Sequence, residues 1–136
     1  MDILTPEQRS RRMSAIRAKG TKPEITIRRF VYSLGYRYRL HAKNLPGKPD
    51  LVFKQRKKVI FVHGCFWHHH ENCKKARLPQ SRQEYWHKKI LANASRDKVN
   101  IESLEKMGMK VLVIWECEIE KKDVIENKIR KFLEEK

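Results

Sequence analysis

No apolar run in this sequence is long enough to cross a bilayer, which takes about 20 consecutive apolar residues. The opening Met1-Asp2-Ile3-Leu4-Thr5-Pro6 has neither the basic nor the apolar region of a secretory leader. A cytosolic setting is therefore the expectation. Cysteine is scarce too. Three cysteines cannot all pair within one chain, and where thiols stay reduced a cluster of them is better used to ligate a metal. Repeats and low-complexity segments are missing, so the 136 residues are expected to form one domain, 1–136, large enough to bury its own core. Acid is in short supply: 16 Asp and Glu face 32 Lys and Arg, a net charge of +16. An excess that large points to a polyanionic partner, because Lys and Arg neutralise phosphates and release their counterions. The basic residues are spread along the chain instead of gathered in a tail, which favours a folded basic face over a disordered arm. Charge alone does not separate an enzyme from a scaffold.

What the chain does have is concentrated in His63-Gly64-Cys65-Phe66-Trp67-His68-His69-His70-Glu71-Asn72-Cys73, directly after the apolar run Val59-Ile60-Phe61-Val62. Four histidines, two cysteines and two adjacent aromatics in eleven residues suit neither a core nor an ordinary loop. Cys65, His70 and Cys73, with Cys117 at the end of a later strand, make a Cys3His set of the kind that closes a tetrahedral structural Zn2+ site. The spacing Cys-x4-His-x2-Cys leaves His69 as a competing ligand, and the plain alternative is a buried core thiol at 117 beside surface histidines.

The periodicities predict a compact α/β domain with a mixed sheet. Thr5-Pro6-Glu7-Gln8 reads as a helix start, and residues 1–20 as a basic helix suited to lie on DNA backbone. Thr21-Lys22-Pro23-Glu24 starts a second helix, with Ile27, Phe30, Val31 and Leu34 on one face and Gly35 at its end. Strands are expected over Tyr36–Leu40, Asp50–Phe53 and Val59–Val62, with the basic residues 54–58 as a connection. Ser81-Arg82-Gln83-Glu84 predicts a capping box opening a helix to about Met107, with Trp86, Ile90, Ala94, Ile101 and Leu104 inward. Lys110–Trp115 is the expected buried strand, and a last helix from Asp123 turns Ile125, Ile129, Phe132 and Leu133 inward.

With His70 on a metal, His63, His68 and His69 are left near a strand end, with Asp50 on the neighbouring strand. A carboxylate and imidazoles beside a basic surface are the means of phosphodiester hydrolysis: the carboxylate holds a hard cation such as Mg2+, and a neutral imidazole takes a proton from water. Asp50 is equally readable as a strand-edge Asp, and Glu24 as a capping-box residue on Thr21. Phe66 and Trp67, with Trp86 nearby, either carry the loop into the core or wedge between base pairs. Met13 and Ile16 are a further pair of candidate wedges, with ordinary packing the plainer role.

These residues resemble the very-short-patch repair (Vsr) endonucleases. The likeness rests on Pro46-Gly47-Lys48-Pro49-Asp50, the run Val59 to His70, Glu84-Tyr85-Trp86, Asn93, Arg96-Asp97 and Val113-Ile114-Trp115-Glu116-Cys117, in order, from about Arg11 to Cys117. The resemblance implies a restriction-endonuclease-like fold and Mg2+-dependent nicking of one strand beside a T:G mismatch left by deamination of 5-methylcytosine. It implies Asp50 and the main-chain carbonyl of Val62 as Mg2+ ligands, His68 as general base, and His63 and Glu24 as support for the metal and its water. Structural Zn2+ would sit on Cys65, His70, Cys73 and Cys117, and Phe66, Trp67 and Trp86 would enter the helix at the mispair, whose stacking is already weak. The partner would be mismatched double-stranded DNA, bound by a monomer in a bacterial-type, nucleoid-associated setting, alone or with other mismatch-repair proteins. Two residues separate His70 from Cys73 where the family usually has one. The nuclease pattern acidic-x-Lys is absent, with His63 near the place of the Lys. Two other readings remain: a nuclease of the same fold that cuts matched sites, and a non-catalytic zinc-stabilised DNA-binding module.

Overall fold

The computed structural model describes residues 22–40, 42–71, 73–77 and 80–135. The expected first helix, with Met13 and Ile16, lies outside them. In chain order the elements are α1 (Lys22–Ser33), β1 (Arg39–Leu40), β2 (Leu51–Phe53), β3 (Lys58–His63), α2 (Gln83–Lys106), β4 (Lys110–Trp115) and α3 (Lys122–Glu134). The sheet runs β1-β2-β3-β4. The first two pairings are antiparallel and β3–β4 is parallel, so the sheet is mixed and α2 lies in the crossover that a parallel pair requires.

Side chains alternate across this sheet and bury both faces. Leu51, Phe53, Ile60 and Ile114 face α1 and α3, meeting Ile27, Val31, Ile125, Ile129 and Leu133. Val52, Val59 and Phe61 face the other way, onto Leu104 of α2. The result is a helix–sheet–helix sandwich in which β2 and β3, each paired on both sides, are the buried strands. Sequence reasoning favoured β4 for that place. It is an edge strand with Ile114 alone fully buried, because edge position outweighs apolar content.

Three further expectations are corrected. The strand expected from Tyr36 shortens to Arg39–Leu40, since Tyr36 is drawn into the core and Tyr38 donates its hydroxyl to the Arg28 carbonyl of α1. The basic connection ends one residue early. Lys58 is buried in β3 and its Nζ donates to the carbonyls of Phe132, Leu133 and Glu135, closing the C-terminal end of α3. The Ser81 capping box does not form: α2 begins two residues on, with Arg82 as N-cap in the left-handed region (φ 55°) and its guanidinium over the Tyr85 ring. Among the described residues, no helix is long and apolar enough to cross a membrane.

Candidate active site

Three groups of reactive side chains meet around the C-terminal end of β3. The first is a pair of carboxylates. Asp50 stands one residue before β2, after the buried Pro49, and its Oδ2 accepts the Val62 N–H at 2.7 Å. Its carboxyl also shares a hydrogen bond with Glu24 from the first turn of α1, which is buried and ion-paired to Arg28 one turn on. Burial first, and then the bond and charge of Glu24, push Asp50 up to about 8, against the opposing pulls of the Val62 amide and Arg28. A buried and a partly buried carboxylate facing one another are an oxygen-only donor set, the chemistry a hard divalent cation takes.

The second group is a file of imidazoles. His63, the last residue of β3, shares a sheet face with Phe61 and turns toward α2. Its ring stacks on His68 at 3.9 Å and 6°, and meets Trp115 edge-on at 5.2 Å. Burial, and then the neighbouring His68, lower His63 to about 3, with Asp97 pulling weakly the other way, so it stays neutral at working pH. Its Nδ1 is buried with no hydrogen-bond partner. His68 places Nδ1 2.5 Å from Oδ2 of Asp97 on α2. These residues form the floor of an open cleft between sheet and helix, walled by Ile101, Val113 and Lys98, with a volume of about 520 Å³.

The third group is Cys65, His70, Cys73 and Cys117, whose ligand atoms all lie within 4.8 Å of one another. The turn after β3 delivers them. His68 N–H donates to the Gly64 carbonyl and His70 N–H to the Cys65 carbonyl, and His69 takes a positive φ of 53°. That reversal brings His70 to the cysteines, with Nδ1 3.4 Å from Cys117 Sγ, and leaves His69 lining the cleft. Burial pushes the Cys65 thiol up to about 12. Three thiols and an imidazole gathered in a semi-buried pocket have the donor chemistry of a soft or borderline divalent metal, whose charge would favour the thiolates.

Phe66, Trp67 and Trp86 form a triangle of rings, with centroids 5.1, 5.6 and 5.9 Å apart, on the loop and the first turn of α2. They belong to neither core cluster and stay partly exposed. Asn93 donates to the Trp67 carbonyl at 3.2 Å, tying this loop to α2 one turn before Asp97.

Comparison with known proteins gives these groups a setting. Residues 1–75 match the family described as DNA mismatch endonuclease Vsr. The chain is 46% identical over 133 residues to the type II nicking enzyme V.XorIIP of Xanthomonas oryzae pv. oryzae, covering 98% of this chain and 97% of that one. It is 42% identical over 134 residues to the type II nicking enzyme V.NmeAIP of Neisseria meningitidis serogroup A, covering 98% and 95%. The chain belongs to the Vsr family. It is also 39% identical over 116 residues to the DNA mismatch endonuclease Vsr of Escherichia coli, covering 85% of this chain and 74% of that one. A Vsr-family chain with these relatives is a DNA endonuclease, and its excess of positive charge serves a DNA substrate.

Within this Vsr-family chain the carboxylates and the imidazoles are separate groups. His63, His68 and Asp97 come within 4.8 Å of one another, and neither such cluster among the described residues includes Asp50 or Glu24. They are linked through consecutive residues, Val62 bonding Asp50 and His63 stacking on His68. Sequence reasoning quoted Asp97 as part of the Vsr likeness and gave it no role. A signal was available. In the stripe Ile90, Ala94, Asp97, Ile101, Leu104 it is an acid on the apolar face of a helix, where an unpartnered carboxylate is costly. Asn93 was likewise quoted without a role and Arg28 was not named, and single arginines and asparagines on helices carry no such mark.

Proposed function

We propose that this chain is a single-domain, monomeric, Mg2+-dependent endonuclease of restriction-endonuclease-like fold that nicks one strand of duplex DNA beside a T:G mismatch. The observation that carries the reading is the juxtaposition at the end of β3: Val62 bonds the Asp50–Glu24 pair through its amide, and the next residue begins the file His63, His68, Asp97. Asp50 and the Val62 carbonyl would hold Mg2+, with Glu24 in support, and a bound Mg2+ supplies positive charge against the developing charge on the phosphate. The chain's own residues do the proton work. Asp97 beside Nδ1 of His68 fixes the tautomer that leaves Nε2 free to take a proton from the attacking water. His63, neutral and stacked on His68, holds that ring without adding a charge to it.

Zn2+ on Cys65, His70, Cys73 and Cys117 fits as a structural ion, since the four ligands close the coordination shell and leave no position for substrate. It would fix the turn that carries Phe66, Trp67 and His68. The ring triangle of Phe66, Trp67 and Trp86, with Lys89 above Trp67, is placed to enter a weakly stacked base step. Met13 and Ile16, on residues 1–20, are proposed as a second set of contacts on the duplex.

The test is nicking of end-labelled T:G and matched duplexes, each strand followed separately, with and without Mg2+. One strand of the T:G duplex should be cut in Mg2+, and Asp50→Ala should abolish the cut while leaving binding in place. Cutting of both strands at a matched site would replace mismatch repair with restriction. Undiminished nicking by Asp50→Ala would remove that residue from the mechanism. Binding without cleavage under any divalent ion would leave a DNA-binding module.

A further inference from the structure

We propose that Trp115 is a positioning residue that ties the Cys65, His70, Cys73, Cys117 cluster to the catalytic imidazoles, so that the seating of the cluster sets the pose of His68. The inference rests on the reading of His68 as the base. Its ground is a continuous stack of rings. His70 lies flat on Trp115 at 4.2 Å and 7°, Trp115 meets His63 edge-on at 5.2 Å, and His63 lies flat on His68 at 3.9 Å. Asp97 closes the file at the far end.

Three observations make this more than ordinary packing. Trp115 belongs to neither core cluster, so filling the interior does not explain a side chain of its size. The ring of His63 has no hydrogen-bond partner at its buried Nδ1, so orientation there falls to the rings around it, Phe61, His68 and Trp115. The residue that carries the indole is anchored through its backbone: Trp115 and His63 are the last paired residues of the parallel strands, and the Trp115 main-chain N–H donates to the Glu118 carboxylate at 2.9 Å. An indole between His70 and His63 therefore makes a side-chain path between the cluster and the base, beside the backbone path through His69. Without it, His63 can tilt into the cleft and His68 loses the plate on which it rests.

The experiment compares the metal-loaded full-length chain with Trp115→Leu and Trp115→Phe in three measurements. These are metal equivalents released by a thiol-specific probe, affinity for T:G duplex without Mg2+, and the single-turnover nicking rate with it. Trp115→Leu should keep its metal and bind duplex within about threefold of the parent. Its single-turnover rate should fall about tenfold or more, the scale expected when a reacting group is displaced by a fraction of its own size. Trp115→Phe should recover most of that loss. The ring-proton NMR resonances of His63 and His68 should move in Trp115→Leu, while those of His87, exposed on α2, stay in place. An unchanged rate would overturn the proposal. So would a rate loss that merely tracks lost metal, or one with the His63 and His68 resonances unmoved. If the parent chain does not nick T:G duplex, the functional reading fails on its own account. The resonances then still decide whether Trp115 sets the imidazole pose.

Discussion

The carboxylate pair predicts that removing a charge from the active site stabilises the metal-free protein. In Asp50→Asn the amide oxygen can still accept the Val62 N–H, and the amide group can donate to Glu24, so the contacts survive while the ionisable proton is gone. The folded-state value of Asp50 is raised to about 8 from 3.8. The sign follows from that direction. The stability tied to holding this proton is fully present below the unfolded value, and it is lost progressively as pH rises from 3.8 through about 8. Each pH unit in that window costs the parent protein about 1.4 kcal/mol per proton. At pH 7 to 8 the asparagine variant should therefore be more stable by on the order of 4–5 kcal/mol, a gain that vanishes near pH 4. Urea unfolding followed by far-UV circular dichroism, in Mg2+-free buffer from pH 4 to 8.5, measures it. Added Mg2+ should narrow the gap by stabilising the parent and not the variant, and the same variant should lose nicking. A variant less stable than the parent at pH 8, or a gain independent of pH, would refute the picture of a partly buried, proton-sharing pair.

Asp97→Asn should lower the single-turnover nicking rate about 100-fold, with duplex affinity unchanged, because an amide no longer fixes the His68 tautomer. An undiminished rate would show that His68 works without it. Cys73→Ala should release the metal detected by a thiol-specific probe and lower the urea midpoint, since one lost ligand opens a closed four-ligand site. Retention of a full equivalent would place that ion elsewhere. Lys58→Met should cost about 2–3 kcal/mol in urea unfolding, because it strips a charged donor from three carbonyls at the end of α3. A cost near zero would mean that solvent reaches those carbonyls.

Much of this arrangement is legible where one local rule settles the outcome. The run at 59–62, the apolar positions Ile125, Ile129 and Leu133, and Gly35 at φ 99° all lie where periodicity and glycine conformation put them. Failures come where a neighbour distant in sequence decides. Lys58 reads as surface until the α3 carbonyls arrive to receive its ammonium. Ser81 is a good cap by composition, but Arg82, stacked over Tyr85, takes the N-cap one residue later. Three consecutive histidines contain nothing to say which one faces the cysteines. The left-handed turn at His69 decides that, and it exists only once the loop is folded on α2.

One register explains why all three groups gather at a single strand end. β3 and β4 run parallel and in step from Lys58↔Lys110 to His63↔Trp115. Residues at equal distance past that last pair leave the sheet together, and Cys65 and Cys117 are each two residues beyond it. The thiol cluster is thus a consequence of the strand pairing, with His70 and Cys73 added by the turn. The same last pair sets His63 against Trp115 on the α2 face, while one residue earlier the Val62 amide holds Asp50. A shift of one residue in that register would part the thiols and turn His63 to the opposite face at once. The carboxylate pair, the imidazoles and the thiol cluster therefore share one register, and loss of a metal held by the cluster should disable the imidazoles before it unfolds the sheet.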